Sequence, residues 1–350
     1  MNTRLPFRLL VAFVCLGWGC DTTSVPPDGS ADASSRDAGL RDGGDARDAE
    51  QPDAGGLTDA GQTDAGVVDA GAPSDAGSVE GCGRTPSSSD FTINLTHGGI
   101  ARRFAVHVPT GYAPTVRTPL VLNFHGRGSN ASQQASLSGM NARANAAGFI
   151  AVHPEGVGNT WNGGVCCGDA MSRNIDDVGF TRAMLDRLDA ELCVDPARVF
   201  AAGLSNGGFM AHRLGCMLSD RIAAVASVAA PNGTLPCSPG RGVPVIHFHG
   251  TADNIVRYEG FFGQLSVEDS TAQWVSRNGC GSSSEVFAMS DVRCEEWAGC
   301  DGGAHVQLCT IEGGGHQWPG GFTVPGLGSN TDAISATDAM WDFFVRHPRP

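Results

Sequence analysis

Short apolar segments alternate with helical patterns along residues 81–350, and this alternation predicts the main elements of one domain. Continuous apolar runs at 119–124, 199–203, 223–229 and 243–249 predict strands that are buried on both faces. Further strands are predicted at 91–95, 103–108, 149–152 and 305–311, and helices at 177–193, 206–218, 267–275 and around 334–344. This order indicates an α/β fold, with a mostly parallel central sheet and helices on both faces.

The first 20 residues have the pattern of an export signal. Arg4 and Arg8 precede an apolar run at 9–18, which is too short to span a bilayer as a helix. Gly19 and Cys20 resemble the processing site of a bacterial lipoprotein. We therefore expect a lipid on Cys20 after export, with simple secretion as the alternative, and membrane contact only through that lipid.

Residues 21–80 are predicted to be a disordered linker. The sequence Asp-Ala-Gly occurs six times in this segment, which has no aromatic residue. Such a composition cannot bury enough apolar surface to offset the chain entropy lost on folding. A calcium-binding repeat is the alternative, but the Asp spacing is irregular and no Glu closes a loop. We therefore expect a spacer ahead of a folded domain at 81–350.

The distribution of charge argues against nucleic acid as a partner. The chain has 23 basic residues, all of them Arg, against 37 acidic residues, and its formal net charge is -14. The linker contributes -11 and residues 1–20 contribute +2, which leaves -5 for residues 81–350. No basic stripe is present to neutralise phosphates. We expect a monomer that binds no nucleic acid.

Ten cysteines lie between Cys82 and Cys309. An even number in an exported domain predicts disulfides, although the sequence leaves their connectivity open. Cys166 and Cys167 are expected to take different partners because they are adjacent. Zinc is disfavoured, since no pair of cysteines has the spacing of a zinc knuckle. No metal site is predicted.

A Gly-x-Ser-x-Gly sequence at 203–207 carries the clearest chemistry in the chain. It follows the predicted strand at 199–203 and opens the predicted helix at 206–218, as a nucleophile elbow requires. The glycines let neighbouring backbone approach a sharply turned serine. An ordinary Gly-rich connection is the alternative. The arrangement predicts Ser205 as a nucleophile.

A serine hydroxyl needs a base, usually a histidine that is held by a carboxylate. In this type of fold the chain order is serine, acid, histidine. Asp253 follows the predicted strand at 243–249, and His316 lies in a Gly-rich loop after the last predicted strand. His316 is preferred as the base because its loop can reach Ser205. The other histidines suit different roles, His247 and His249 as core residues and His125 and His153 as residues that orient loops.

Two backbone N–H groups are needed to stabilise the oxyanion that forms when a serine attacks an ester. The fold supplies one from the residue after the nucleophile, which is Asn206 here. The second comes from the loop after the third strand, at 125–128. We predict the N–H of Arg127, with Gly126 as second choice.

Six stretches together resemble the secreted polyhydroxybutyrate-depolymerase-type esterases, which are similar to the feruloyl and acetylxylan carbohydrate esterases. They are 123–126, 161–168, 176–180, 203–208, 247–253 and 313–321, in order through most of residues 118–321. The resemblance implies an α/β-hydrolase fold with Ser205 as nucleophile, Asp253 as acid and His316 as base. No cofactor is expected. The chain departs from the pattern of these esterases at two positions. Asn254 stands where Pro is frequent and Gln317 where Thr is common, and neither belongs to the triad.

The substrate is less sharply defined than the reaction. Trp161, Asn162 and Trp318 are expected near the pocket, although both Trp rings could instead belong to the core. Aromatic walls suit hydroxyacyl polymers, ferulate rings and sugars alike. The resemblance favours hydrolysis of polymeric or oligomeric esters of the polyhydroxybutyrate type. The alternatives are release of feruloyl or acetyl groups from plant polysaccharide, and a non-catalytic surface binding module.

Overall fold

The structure, a computed structural model, describes residues 80–350. The predicted export signal, the lipidation site at Cys20 and the linker up to residue 79 lie outside the described residues and stay predictions. The strands are β1 (Asp90–His97), β2 (Ile100–His107), β3 (Thr118–Phe124), β4 (Ile150–Pro154), β5 (Val194–Leu204), β6 (Ala224–Val228), β7 (Val245–Gly250), β8 (Ser283–Met289), β9 (Val292–Trp297) and β10 (Val306–Ile311). The helices are α1 (Ala131–Ser138), α2 (Met140–Ala147), α3 (Gly168–Ser172), α4 (Asp177–Glu191), α5 (Asn206–Met217), α6 (Val267–Arg277) and α7 (Ala336–Val345).

The ten described strands form one sheet in the order β1-β2-β4-β3-β5-β6-β7-β10-β9-β8. The six strands from β4 to β10 along this order pair in parallel. Antiparallel pairs add β2 and β1 at one edge, and β9 and β8 at the other. The predicted mostly parallel sheet is confirmed, and the carboxyl ends of its central strands open onto one edge, where such folds bind ligands.

Apolar side chains cover both faces of the sheet. On one face, Phe180 of α4, Leu214 of α5 and Trp274 of α6 belong to a cluster with alternate residues of β3. On the other face, Met140 of α2 and Phe344 of α7 belong to a second cluster with Val121 of β3 and alternate residues of β5. Because β3, β4, β6 and β7 are buried along their whole length, they appear in the sequence as continuous apolar runs. Among residues 80–350, no helix is long and apolar enough to cross a bilayer.

Ten cysteines form five disulfides in the described part of the chain, which confirms the prediction of disulfides. The pairs are Cys82–Cys193, Cys166–Cys167, Cys216–Cys237, Cys280–Cys300 and Cys294–Cys309. The expectation that Cys166 and Cys167 take different partners is wrong. The other eight cysteines pair among themselves, and these two adjacent cysteines bond to each other. Five disulfides are typical of a protein that folds outside the reducing cytosol, and they indicate an extracellular protein.

A buried neutral histidine is expected to make the domain sensitive to acid. His153 Nε2 donates to Asn141 Oδ1 over 2.8 Å, and burial lowers the pKa of His153 from 6.5 to about 3. Between these two pKa values the unfolded chain binds more protons than the folded chain, so stability falls as the pH falls. From pH 7.5 to pH 5 this one group should remove about 2 kcal/mol.

Urea unfolding of the wild type and His153→Gln at both pH values measures this contribution. The wild type should lose about 2 kcal/mol more than the variant on acidification. Equal losses would show that His153 is not a source of the acid sensitivity.

Candidate active site

Ser205 lies at a sharp turn between β5 and α5. Its backbone has φ 54° and ψ -123°, a conformation that residues with a Cβ atom seldom adopt and that costs about 1–3 kcal/mol. Hydrogen bonds hold the turn, because Ser205 N–H donates to Val228 O over 2.8 Å and Phe209 N–H donates to Ser205 O over 3.0 Å. Ser205 is only half-buried. The turn therefore presents a strained serine at the carboxyl edge of the sheet.

Two glycines permit this turn because the backbone is crowded around it. A Cβ atom on Gly203 would collide with the backbone of Gly207, across the turn. A Cβ atom on Gly207 would collide with the carbonyl of Phe124 at the end of β3. The helix start is thus packed directly against the end of β3. This close approach is the physical reason for glycine on both sides of Ser205.

Asp253 and His316, which are 63 residues apart, meet beyond the ends of β7 and β10. His316 Nδ1 donates to Asp253 Oδ2 over 2.7 Å, and both side chains are buried. The loops that carry them are bonded to each other, since Ala252 N–H donates to Gly314 O over 2.9 Å. His316 N–H also donates to Leu327 O over 2.7 Å. The structure therefore brings the predicted acid and base together in hydrogen-bond contact.

The carboxylate of Asp253 accepts hydrogen bonds at both oxygens. Oδ1 accepts from the backbone N–H groups of Ile255 and Val256, each over 2.9 Å. Oδ2 lies 2.7 Å from His316 Nδ1 and 3.4 Å from His249 Nε2. Burial would raise the pKa of Asp253, but the hydrogen bonds from His249 and His316 outweigh it and hold the pKa below its ordinary value. An ionised Asp253 is suited to fixing the proton of His316 on Nδ1.

Two of the other histidines form a buried chain behind Asp253. His249 Nε2 donates to Val256 O over 2.7 Å, which leaves His249 Nδ1 as the acceptor for His247 Nε2 at 3.0 Å. His249 therefore donates towards Asp253 and is unable to accept a proton there as a neutral ring. The sequence is compatible with His247 and His249 as core histidines, but it gives no sign that His249 contacts the acid.

The loop after β3 lies beside Ser205. A Cβ atom on Gly126 would be 3.5 Å from the Cβ of Ser205. His125 Nε2 accepts from Gly156 N–H over 3.0 Å, so its Nδ1–H donates to Gly126 O over 2.8 Å. Burial lowers the pKa of His125 to about 4, which keeps this ring neutral. The bond turns the Gly126 carbonyl towards His125, and the N–H of Arg127 in the same trans peptide points the opposite way.

Asn206 is the first residue of α5, where backbone N–H groups have no partner within the helix. Its side chain is fully buried, and it bonds to the backbone of Trp161. Asn206 Nδ2 also lies 3.7 Å from Cys166 Sγ, so the Cys166–Cys167 disulfide lies next to the predicted oxyanion site. The side chain of Arg127 is exposed, as expected if only its backbone acts.

The three predicted pocket residues lie in the interior instead. Trp161 and Trp318 have relative exposures of 0% and 1%, and Trp318 Nε1 donates to Thr337 Oγ1 over 3.0 Å. The side chain of Asn162 donates to Ile175 O over 3.1 Å. The expectation that these side chains line the pocket is therefore not met, because each is enclosed by protein and hydrogen-bonded within it.

A buried ion pair holds the loop that contains Trp161 and Asn162. Asp177 Oδ2 accepts from Asn162 N–H, and Asp177 Oδ1 accepts from Arg102 Nη2, both over 2.8 Å. Burial raises the pKa of Asp177, although Arg102 opposes this shift. Asp177 was not predicted as a functional residue. In the sequence it belongs to an Asp-Asp pair at the start of a predicted helix, and that pattern indicates only a helix N-cap.

Removing one partner of this pair should be costly, because the other charge would remain buried alone. We expect Asp177→Ala to lower the free energy of unfolding by about 3–5 kcal/mol. The exposed pair Arg182–Asp220 offers a control, since Asp220→Ala should cost less than about 1 kcal/mol. Urea unfolding measures both, and equal costs for the two variants would contradict the buried-pair argument.

Comparison with known proteins identifies several esterases. The chain is 36% identical over 235 residues to feruloyl esterase B of Piromyces equi, a match that covers 61% of this chain and 42% of that protein. It is 31% identical over 279 residues to the putative esterase NocK of Nocardia uniformis, covering 71% of this chain and 80% of that protein. A bifunctional acetylxylan esterase/xylanase of Neocallimastix patriciarum is 26% identical, covering 63% and 31%. No family model matches the chain.

Solved structures share the fold at low sequence identity. A thermostable esterase superposes with a TM-score of 0.53 at 15% identity, covering 75% of this chain and 63% of that one. The acetyl xylan esterase of Aspergillus awamori superposes with a TM-score of 0.52 at 13% identity, covering 73% and 99%.

The fold and these relatives define a carboxylic ester hydrolase with the α/β-hydrolase fold. Within that class, the chain belongs to the esterase family of NocK, and its other relatives include a feruloyl esterase and an acetylxylan esterase. The comparisons agree better with the alternative expectation, an esterase of plant polysaccharide, than with hydrolysis of polyhydroxybutyrate. They also favour an enzyme over a non-catalytic binding module. The chain spans less than half the length of the Piromyces equi relative.

Proposed function

We propose that this protein is a serine esterase that releases feruloyl groups from polysaccharide through a Ser205–His316–Asp253 triad. The observation that carries the proposal is the 2.7 Å bond between His316 Nδ1 and Asp253 Oδ2, at the same sheet edge as the strained turn of Ser205. A carboxylate-held histidine and a serine on an elbow are the parts that acyl transfer requires.

In the proposed mechanism, His316 Nε2 takes the proton of Ser205 Oγ as this oxygen attacks the ester carbonyl carbon. The N–H groups of Asn206 and Arg127 stabilise the oxyanion, with Gly126 N–H as second choice. The intermediate collapses, and the alcohol leaves with the proton from His316. Water then attacks the acyl-enzyme, gives a proton to His316, and releases the acid while Ser205 regains its proton.

Exposed apolar side chains support an apolar acyl group. Val165, Leu235, Ile255 and Phe261 are exposed, and they lie on loops that follow β4, β6 and β7 at the carboxyl edge. Val165 N–H donates to Gly233 O over 2.9 Å, which joins two of these loops. A methoxyphenyl ring would bury such surface, whereas an acetyl group would cover little of it. Two of the relatives are themselves named feruloyl esterases, which also supports a feruloyl substrate.

Substrate comparison tests the proposal. We expect kcat/KM for methyl ferulate to exceed the value for hydroxybutyrate oligomers by about tenfold or more, as one well-filled apolar pocket allows. Acetylated xylan serves as the third substrate, and Ser205→Ala as the blank. A higher kcat/KM for hydroxybutyrate oligomers or for acetylated xylan would overturn the feruloyl assignment.

We further propose that the enzyme is exported and anchored by a lipid on Cys20. Fractionation of a bacterial host that expresses the full chain tests the anchor. Cys20→Ser should move the protein from the membrane fraction to the soluble fraction, whereas Cys15→Ser, in the same signal, should not. An unchanged distribution of Cys20→Ser would refute the anchor.

A further inference from the structure

Trp161 contacts both backbone segments from which the oxyanion donors are proposed to come. Its indole Nε1–H donates over 3.0 Å to the carbonyl of His125, the residue before Gly126. Its backbone N–H donates to Asn206 Oδ1 over 2.6 Å, and its carbonyl accepts from Asn206 Nδ2 over 2.9 Å. All three bonds are buried. One residue thus joins the loop after β3 to the start of α5.

Trp161 is itself held in place from the other side. Its ring packs edge-on against Phe124, with ring centroids 5.0 Å apart and planes at 86°. The next residue, Asn162, donates its N–H to Asp177, which pairs with Arg102 in the interior. The Asn162 carbonyl accepts from Arg213 Nη1 over 2.5 Å. The loop is therefore fixed at two successive residues and can hold the loop after β3 and the start of α5 at a constant spacing.

We propose that Trp161 is a positioning residue for ester hydrolysis, which sets the spacing of the two oxyanion donors. This inference rests on the proposed function, because it needs Ser205 as the nucleophile. Oxyanion donors act only if they are preorganised near the position that the charged oxygen will occupy. A displacement of about 1 Å in such a site can cost about 100-fold in rate. Trp161 does not touch substrate, since its side chain is fully buried.

Trp161→Phe separates positioning from general stability. It keeps a ring beside Phe124 but removes the bond to the His125 carbonyl. Trp274→Phe is a matched control, because Trp274 is also buried and donates its indole N–H over 3.1 Å to His212 Nδ1, in the middle of α5 rather than at its start. We would measure kcat and KM with methyl ferulate, and inhibition by an aryl boronic acid, which forms a tetrahedral adduct with a catalytic serine.

The positioning role predicts a fall of about 10- to 100-fold in kcat for Trp161→Phe with KM nearly unchanged. The inhibition constant of the boronic acid should rise by a similar factor. Trp274→Phe should change neither value by more than about twofold. If both variants lose equal activity, or if kcat falls while boronic acid binding is unchanged, the positioning role is refuted.

Asn206→Ala tests the same connection through the bonds between the Asn206 side chain and the Trp161 backbone. This variant keeps the backbone N–H of residue 206 but releases the backbone of Trp161. We expect a parallel loss in kcat and boronic acid affinity, and wild-type values for both would overturn the inference even if Trp161→Phe did not fold. Full activity of Ser205→Ala would instead overturn the proposed function, so the two failures are distinguishable.

Discussion

Ser205→Ala is expected to lower kcat by about 10⁶-fold towards an activated ester, with little change in KM or in folding. The loss is large because every covalent step of the proposed reaction passes through Ser205 Oγ. The hydroxyl is half-buried on a strained turn, so its removal leaves no cavity in the core. Relief of the strain is not expected either, since alanine also carries a Cβ atom.

Nitrophenyl acetate hydrolysis and circular dichroism measure the two parts of this prediction. Ser172→Ala, an exposed serine on α3 that donates to Asp169 O, serves as the control and should keep wild-type activity. A Ser205→Ala protein that is folded and retains more than about 1% of kcat would show that another group is the nucleophile.

Asp253→Asn is expected to lower kcat by about 10⁴-fold, although it only replaces one carboxylate oxygen by an NH₂ group. Asp253 Oδ1 accepts two backbone N–H groups, from Ile255 and Val256, so the amide oxygen of Asn should occupy that position. Its NH₂ would then face His316 Nδ1. The amide would donate to Nδ1 and leave the proton of His316 on Nε2, where the ring is unable to accept the proton of Ser205.

Asp195→Asn is the matched control for this variant. Asp195 also accepts a backbone N–H two residues on, from Ala197 over 3.0 Å, but it lies at the start of β5. It should retain wild-type kcat. A loss of less than about tenfold in Asp253→Asn, with the fold intact, would contradict the role of Asp253 in fixing the tautomer.

The central sheet could be predicted because burial on both faces makes its strands continuous apolar runs. The strand at 199–203, the turn at Ser205 and the helix from Asn206 follow one another in the sequence as they do in the structure. Asp253 and His316 were found by the order of motifs, and the structure joins them over 2.7 Å. Helices α1 and α2 were missed because their sequences are rich in Ala and polar residues and have weak periodicity. Strands β8 and β9 were missed too, and β8 is largely exposed.

The environment of the site could not be predicted, because it depends on contacts between distant segments. Trp161 and Asn206 are 45 residues apart, and neither residue type specifies that a side-chain amide will bind a backbone. An aromatic residue beside a Gly-rich loop can line a pocket or hold two backbone segments together. Only the packing of the folded chain decides between these two roles. The Cys166–Cys167 bond likewise depends on which other cysteines the fold brings together.

Covalent labelling of the wild-type protein tests the central claim most directly. The full chain is treated with a fluorophosphonate, digested, and analysed by mass spectrometry to find the modified residue. The triad predicts one adduct, on Ser205, that forms in step with the loss of esterase activity and much more slowly in His316→Ala. An adduct on a different residue, or complete inhibition with Ser205 unmodified, would contradict the account.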